Sequence, residues 1–232
     1  EKRTKGDIRK FTNEYHKLIH ECLYNNGKIK YDQTIIENSL LVAIGAMISG
    51  SVRGCVKDII TLNFDDVLEW YLTVYGLKTQ IAYSLPVLRR RSDVLIYHLH
   101  GFIPRNLNNG TSPSIIFSKK SYDKYLAQEQ LNLQQLVWKD LLTSKVILFI
   151  GLSGDDVSFG PIFEDVKNRI EITKPHKGPL GIWMFGNKID ETRLSEIRKW
   201  GCAPLILDDY DEYPSFLLSI CQKALELGNT NY

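Results

Sequence analysis

Apolar residues recur along this chain in two rhythms. Over residues 7–24 they repeat at helical spacing, through Ile8, Phe11, Tyr15, Leu18, Ile19 and Leu23. A second helical set, 33–49, runs through Ile35, Ile36, Leu40, Leu41, Ile44 and Met47 and meets Gly50 and Gly54. Near residue 55 the pattern changes. Ile59, Ile60 and Leu62 make a short run rich in β-branched residues, which predicts a buried strand over 58–62. Val67, Leu68, Trp70, Tyr71 and Val74 then return to helical spacing over 65–75, with Asp65 as a suitable N-cap.

The same exchange continues to the end. Strands are predicted at 79–83, 94–100, 114–117, 145–151, 180–185 and 204–207. Helices are predicted around Tyr122, Tyr125 and Leu126, and over 133–142, 160–170, 190–200 and 214–227. Strands alternating with helices predict an α/β fold, a parallel sheet with helices on both faces. One domain is expected over 1–232, with 1–54 as an N-terminal helical part packed against 55–232.

Composition narrows the function classes. The net charge of +2 offers no electrostatic case for nucleic acid or a membrane surface. Lys2-Arg3-Lys5 and Arg89-Arg90-Arg91 read as solvated charges of a terminus and a loop. Cys22, Cys55, Cys202 and Cys221 form no Cys-x-x-Cys pair, so free thiols and a cytoplasmic location are expected. No apolar run reaches the length of a membrane span. His16 and His20 stand four apart on the first helix, but Lys17 occupies the place of the glutamate in a His-Glu-x-x-His motif. They read as paired surface histidines.

The candidate chemistry gathers where strands end. Four strands run into Asn63-Phe64-Asp65-Asp66, His100-Gly101, Gly151-Leu152-Ser153 and Gly186-Asn187. In a parallel sheet these turns share one edge, beyond which ligands bind. Gly151 permits close backbone approach, and Ser153 with the following amides suits an anion. A histidine there can act as a general base, and an asparagine can orient water. Each residue has a structural reading too. Asn63 and Asp65 fit a turn and a cap, Gly151 fits a tight turn, and His98 or His100 fits a hydrogen-bonded core histidine.

Read in order, these turns resemble the sirtuin family. Thr61-Leu62-Asn63-Phe64-Asp65 is similar to the sirtuin Thr-Gln-Asn-Ile-Asp, Leu99-His100-Gly101 to its His-Gly, and Gly151-Leu152-Ser153 to its Gly-Thr-Ser. Asp209-Tyr210-Asp211 is similar to Asp-Cys-Asp at the adenine end, and Gly186-Asn187 weakly resembles the Asn after the penultimate strand. Phe149-Ile150-Gly151-Leu152-Ser153-Gly154-Asp155-Asp156 resembles the Phe-Ile-Gly-x-Ser-x-x-Asp of the bacterial sirtuin-like branch found in antiphage defence. The resemblance implies a Rossmann-like sheet and hydrolysis of NAD to nicotinamide and ADP-ribose. It implies catalytic roles for Asn63 and His100. Asp65, Gly101, Gly151, Ser153, Asn187, Asp209 and Tyr210 would contact NAD. It also implies a homo-oligomer and a flanking sensor domain or partner protein.

Two departures stand beside it. The sirtuin Gly-Ala-Gly-x-Ser phosphate loop is not found; Gly45-Ala46-Met47-Ile48-Ser49 lies in a helical pattern, so the first strand and loop are expected to be missing from this stretch. The zinc module with two Cys-x-x-Cys pairs is also not found, which argues against an acetyl-lysine substrate and for metal-independent hydrolysis. The alternatives are a non-catalytic NAD or ADP-ribose sensor or assembly module, and a protein deacylase or ADP-ribosyl transferase.

Overall fold

The computed structural model describes residues 14–25, 33–50, 56–106, 115–116, 133–152, 159–173 and 178–229. The chain divides into two compact units, one of residues 1–121 and 217–232, the other of 122–216. The α/β class holds. Among the described residues the strands hydrogen-bond as two three-stranded sheets, parallel throughout.

In the first unit, α1 (14–20) continues into a wider turn over Glu21–Asn25, and α2 (Gln33–Ile36) precedes α3 (Ser39–Ser49). Asn38 caps α3 by accepting from the Leu41 N–H. Then come β1 (Asp58–Thr61), α4 (Val67–Val74), β2 (Thr79–Ala82) and β3 (Val94–His98). β3 lies between β1 and β2, and all five of its residues are buried. That position explains its unbroken apolar run. The core joins Ile48 of α3, Tyr71 and Leu72 of α4, and Val94 and Ile96 of β3. Gly45-Ala46-Met47-Ile48-Ser49 is helical, as its pattern predicts.

The second unit contains α5 (Leu133–Ser144), β4 (Ile147–Phe149), α6 (Phe159–Thr173), β5 (Gly181–Phe185), α7 (Glu191–Lys199) and β6 (Cys202–Ile206). Its sheet runs β4-β5-β6 in chain order. The core is aromatic: Phe149 stacks on Trp183 at 4.2 Å between ring centroids, and Phe163 and Trp200 extend the cluster. α8 (Tyr213–Asn229) closes the described chain, divided between the units at Leu217. No helix among the described residues is long and apolar enough to cross a membrane.

Several expectations change. His16 is buried rather than at the surface, and its burial lowers its pKa from the usual histidine value. Arg89 is not simply a solvated charge: its guanidinium lies 3.0 Å from the buried Asp58 carboxylate and 3.3 Å from the Tyr97 hydroxyl. Ile115 and Ile116, the described part of the strand expected at 114–117, take no regular structure, although the Ile116 N–H donates to the His100 carbonyl. The helix expected around Tyr122–Leu126 lies outside the described residues, as do Cys55 and Ser153.

Candidate functional site

The register of β1 and β3 sets the geometry. Thr61 stands opposite His98, and the ladder extends one bond further, from the Leu99 N–H to the Thr61 carbonyl. Two residues past that matched pair come Asn63 on one chain segment and His100 on the other. Neighbouring parallel strands therefore deliver both at the same carboxyl edge.

Each turn is held by specific bonds. The Thr61 hydroxyl accepts from the Asn63 N–H at 3.1 Å. Asn63 is exposed, yet its carbonyl lies 2.9 Å from Nδ1 of the buried His98. The Ile103 N–H donates to the Phe64 carbonyl at 2.7 Å, joining the loop after β3 to the loop after β1. Gly101 makes the turn beyond His100 with φ of +107°, a conformation that L side chains rarely adopt.

The capping at α4 differs from expectation. Asp66, not Asp65, occupies the N-cap position, but the Asp65 carboxylate accepts from the Val67 N–H at 3.1 Å. The Asp66 carboxylate instead accepts from the Arg105 N–H at 2.8 Å and faces the Tyr24 hydroxyl at 3.3 Å. That hydroxyl donates to the Ile103 carbonyl at 2.6 Å and accepts from the Asp66 N–H. His20 Nε2 adds a bond to the Arg105 carbonyl. The N-terminal helical segment thus fastens both loops.

Electrostatically, Asp65 sits in a small charged cluster. Burial raises its pKa above the usual carboxylate value, and Glu69 nearby adds to the rise. The Val67 N–H and the His98 ring act in the opposite direction. Glu69 of α4 is buried and bonds His98 Nε2 at 2.5 Å. Sequence reasoning missed Glu69 and Tyr24. Glu69 did carry a signal, since it stands three residues before Leu72, on the apolar face of its helix.

The second unit carries the other candidates. Gly151 is exposed in the turn after β4, where the Trp183 indole N–H donates to the Leu152 carbonyl at 2.8 Å. Asn187 is exposed after β5, and Asp209 and Tyr210 are exposed after β6. The latter two turns meet. A Cβ at Gly186 would lie 2.5 Å from the Tyr210 backbone nitrogen and 2.6 Å from its ring. Asp209 accepts from the Asp211 N–H, and the Tyr213 hydroxyl donates to the Met184 carbonyl at 2.9 Å. The structure thus brings Asn63, Asp65, His100 and Gly101 together in the first unit, and Asn187, Asp209 and Tyr210 in the second.

Comparison with known proteins places this pattern. Residues 57–205 match the family model described as a SIR2-like domain. No curated protein matches the chain. The match begins beside β1 and reaches into β6, so it takes in the turns that carry Asn63, His100, Gly151 and Asn187. A match over most of the sequence, enclosing these strand ends, makes this chain a member of the SIR2-like domain family.

Proposed function

We propose that the chain hydrolyses NAD to nicotinamide and ADP-ribose. The observation that carries this reading is the delivery of Asn63 and His100 by two adjacent, register-matched strands. The bond between the nicotinamide nitrogen and ribose C1′ breaks with its electron pair leaving on nicotinamide, which departs neutral. C1′ becomes oxocarbenium-like. The Asn63 amide orients the attacking water, and the His100 imidazole takes its proton. Asp65 adds negative potential on the side of the developing cation. The resemblance to the sirtuin motifs, rather than any geometry, assigns NAD contacts to Gly101, Gly151, Ser153, Asn187, Asp209 and Tyr210.

Chromatographic detection of nicotinamide and ADP-ribose tests the reading. Asn63→Ala and His100→Ala should each lower turnover by about 100-fold or more while the circular dichroism spectrum is kept. Undiminished turnover in either rejects the assignment. The antiphage resemblance extends the proposal to an effector that drains NAD during infection. Cells expressing the chain should lose NAD on phage challenge, and cells expressing His100→Ala should not.

The helical state of Gly45–Ser49 favours a second reading, a module that binds NAD or ADP-ribose without turnover. Calorimetric titration beside the turnover assay separates the two, since binding without nicotinamide release selects the sensor.

A further inference from the structure

One buried histidine faces an acceptor on each side. His98 is 1% exposed, with Nδ1 at 2.9 Å from the Asn63 carbonyl and Nε2 at 2.5 Å from Glu69 Oε1. A carbonyl only accepts, so Nδ1 carries a hydrogen. The Nε2 contact then has two proton placements. Either Nε2 also carries a hydrogen and donates to an ionised Glu69, or Glu69 carries it and donates to Nε2. Both leave the hydrogen on Nδ1. The proton shared between Nε2 and Glu69 is thus compatible in either placement with the Nδ1 hydrogen that grips Asn63. Phe102 packs against the imidazole at 4.5 Å between centroids and limits its rotation. The other oxygen of Glu69, Oε2, is buried with no hydrogen-bond partner among the described residues. A pair kept for stability alone gains little from such a group, because burying an unmatched polar atom is destabilising.

We propose that His98 is a positioning residue. It clasps the peptide of Asn63, so that an exposed side chain leaves a fixed backbone, and Glu69 bonds the far side of the ring. The inference rests on the reading of Asn63 as catalytic.

Two polar substitutions separate the clasp from mere packing. The amide nitrogen of His98→Asn stands where Nδ1 stands and can still grip the carbonyl. That of His98→Gln stands near Nε2 and cannot. Glu69→Gln keeps a donor toward Nε2 and so keeps the ring state. The expected result for His98→Gln is a kcat for NAD hydrolysis lower by about 10- to 100-fold, with KM changed less than about threefold. Hydrogen exchange over residues 61–66 should quicken in the same variant. His98→Asn and Glu69→Gln should stay within about threefold of wild type in both measures.

Equal kcat for folded His98→Asn and His98→Gln overturns the positioning role. Unchanged exchange in His98→Gln overturns the clasp itself. Should His98→Gln fail to fold, a folded His98→Asn or Glu69→Gln that has lost turnover overturns the proposal, and retained turnover in both supports it. If wild type releases no nicotinamide, the catalytic reading of Asn63 falls, and exchange alone decides whether the clasp exists.

Discussion

Gly45→Ala asks whether the stretch most similar to a phosphate loop behaves as helix. Gly45 lies in the interior of α3. There an alanine is more favourable than glycine by about 0.5–1 kcal/mol, because it restricts the unfolded chain more. The new methyl would meet Tyr71 Cε1 at 3.4 Å and its hydroxyl at 3.8 Å. These are ordinary van der Waals separations, so the contact neither strains the helix nor opens a void. The expected net gain is therefore about 0.5–1 kcal/mol, or about 1–4 °C in Tm for a chain of this size. Thermal unfolding followed by circular dichroism measures it, with NAD titration in parallel. A Tm lowered by more than about 2 °C would refute the packing argument, since the Tyr71 ring would have failed to accommodate a methyl. An affinity for NAD reduced more than about tenfold would refute the helical argument, because only a glycine close to the dinucleotide is that sensitive.

Gly186→Ala should have the opposite effect: its methyl meets the Tyr210 backbone, which cannot swing aside, and the expected loss is about 1–3 kcal/mol by denaturant titration. A variant as stable as wild type would show that the turns after β5 and β6 are not in contact. Asp65→Asn should raise stability at pH 7. Burial raises the Asp65 pKa above 3.8, so its favourable contribution is complete below the unfolded value and lost as pH rises through the folded one. Asparagine keeps the bond to the Val67 N–H and removes the charge, so the gap in Tm between variant and wild type should close as pH falls into the acid range. A lower Tm at pH 7 would refute this account.

The periodic segments were legible because their partners are local. β1, α4, β3 and α7 lie within a few residues of the predicted bounds, and helix 39–49 falls inside the predicted 33–49. The sequence predicts the last strand over 204–207, whereas β6 begins two residues earlier at Cys202 and carries Pro204 inside it, as an outer strand tolerates. The pairing into two sheets could not be read, since alternation fixes strand direction but not hydrogen-bonded neighbours. Asn63 and His100 were visible as strand-end residues. What supports them was not: Glu69 reaches His98 across 29 positions, and Tyr24 reaches Asp66 across 42. The local pattern marks Glu69 on an apolar helix face but announces neither its partner nor that of Tyr24. Asp66 takes the N-cap position expected of Asp65, but Tyr24 and the Arg105 amide occupy its carboxylate, and Asp65 makes the bond to the Val67 N–H.

Pro204 has a consequence for the outer border of the second sheet. It sits within β6, paired in register with Trp183, and among the described residues no strand joins β6 on its outer side. With no amide hydrogen at its centre, that rim lacks an unbroken row of donors for an incoming strand. It is thereby protected from edge-to-edge recruitment into fibrils. A further strand could not complete its ladder there, so a single proline works against open-ended stacking at that border.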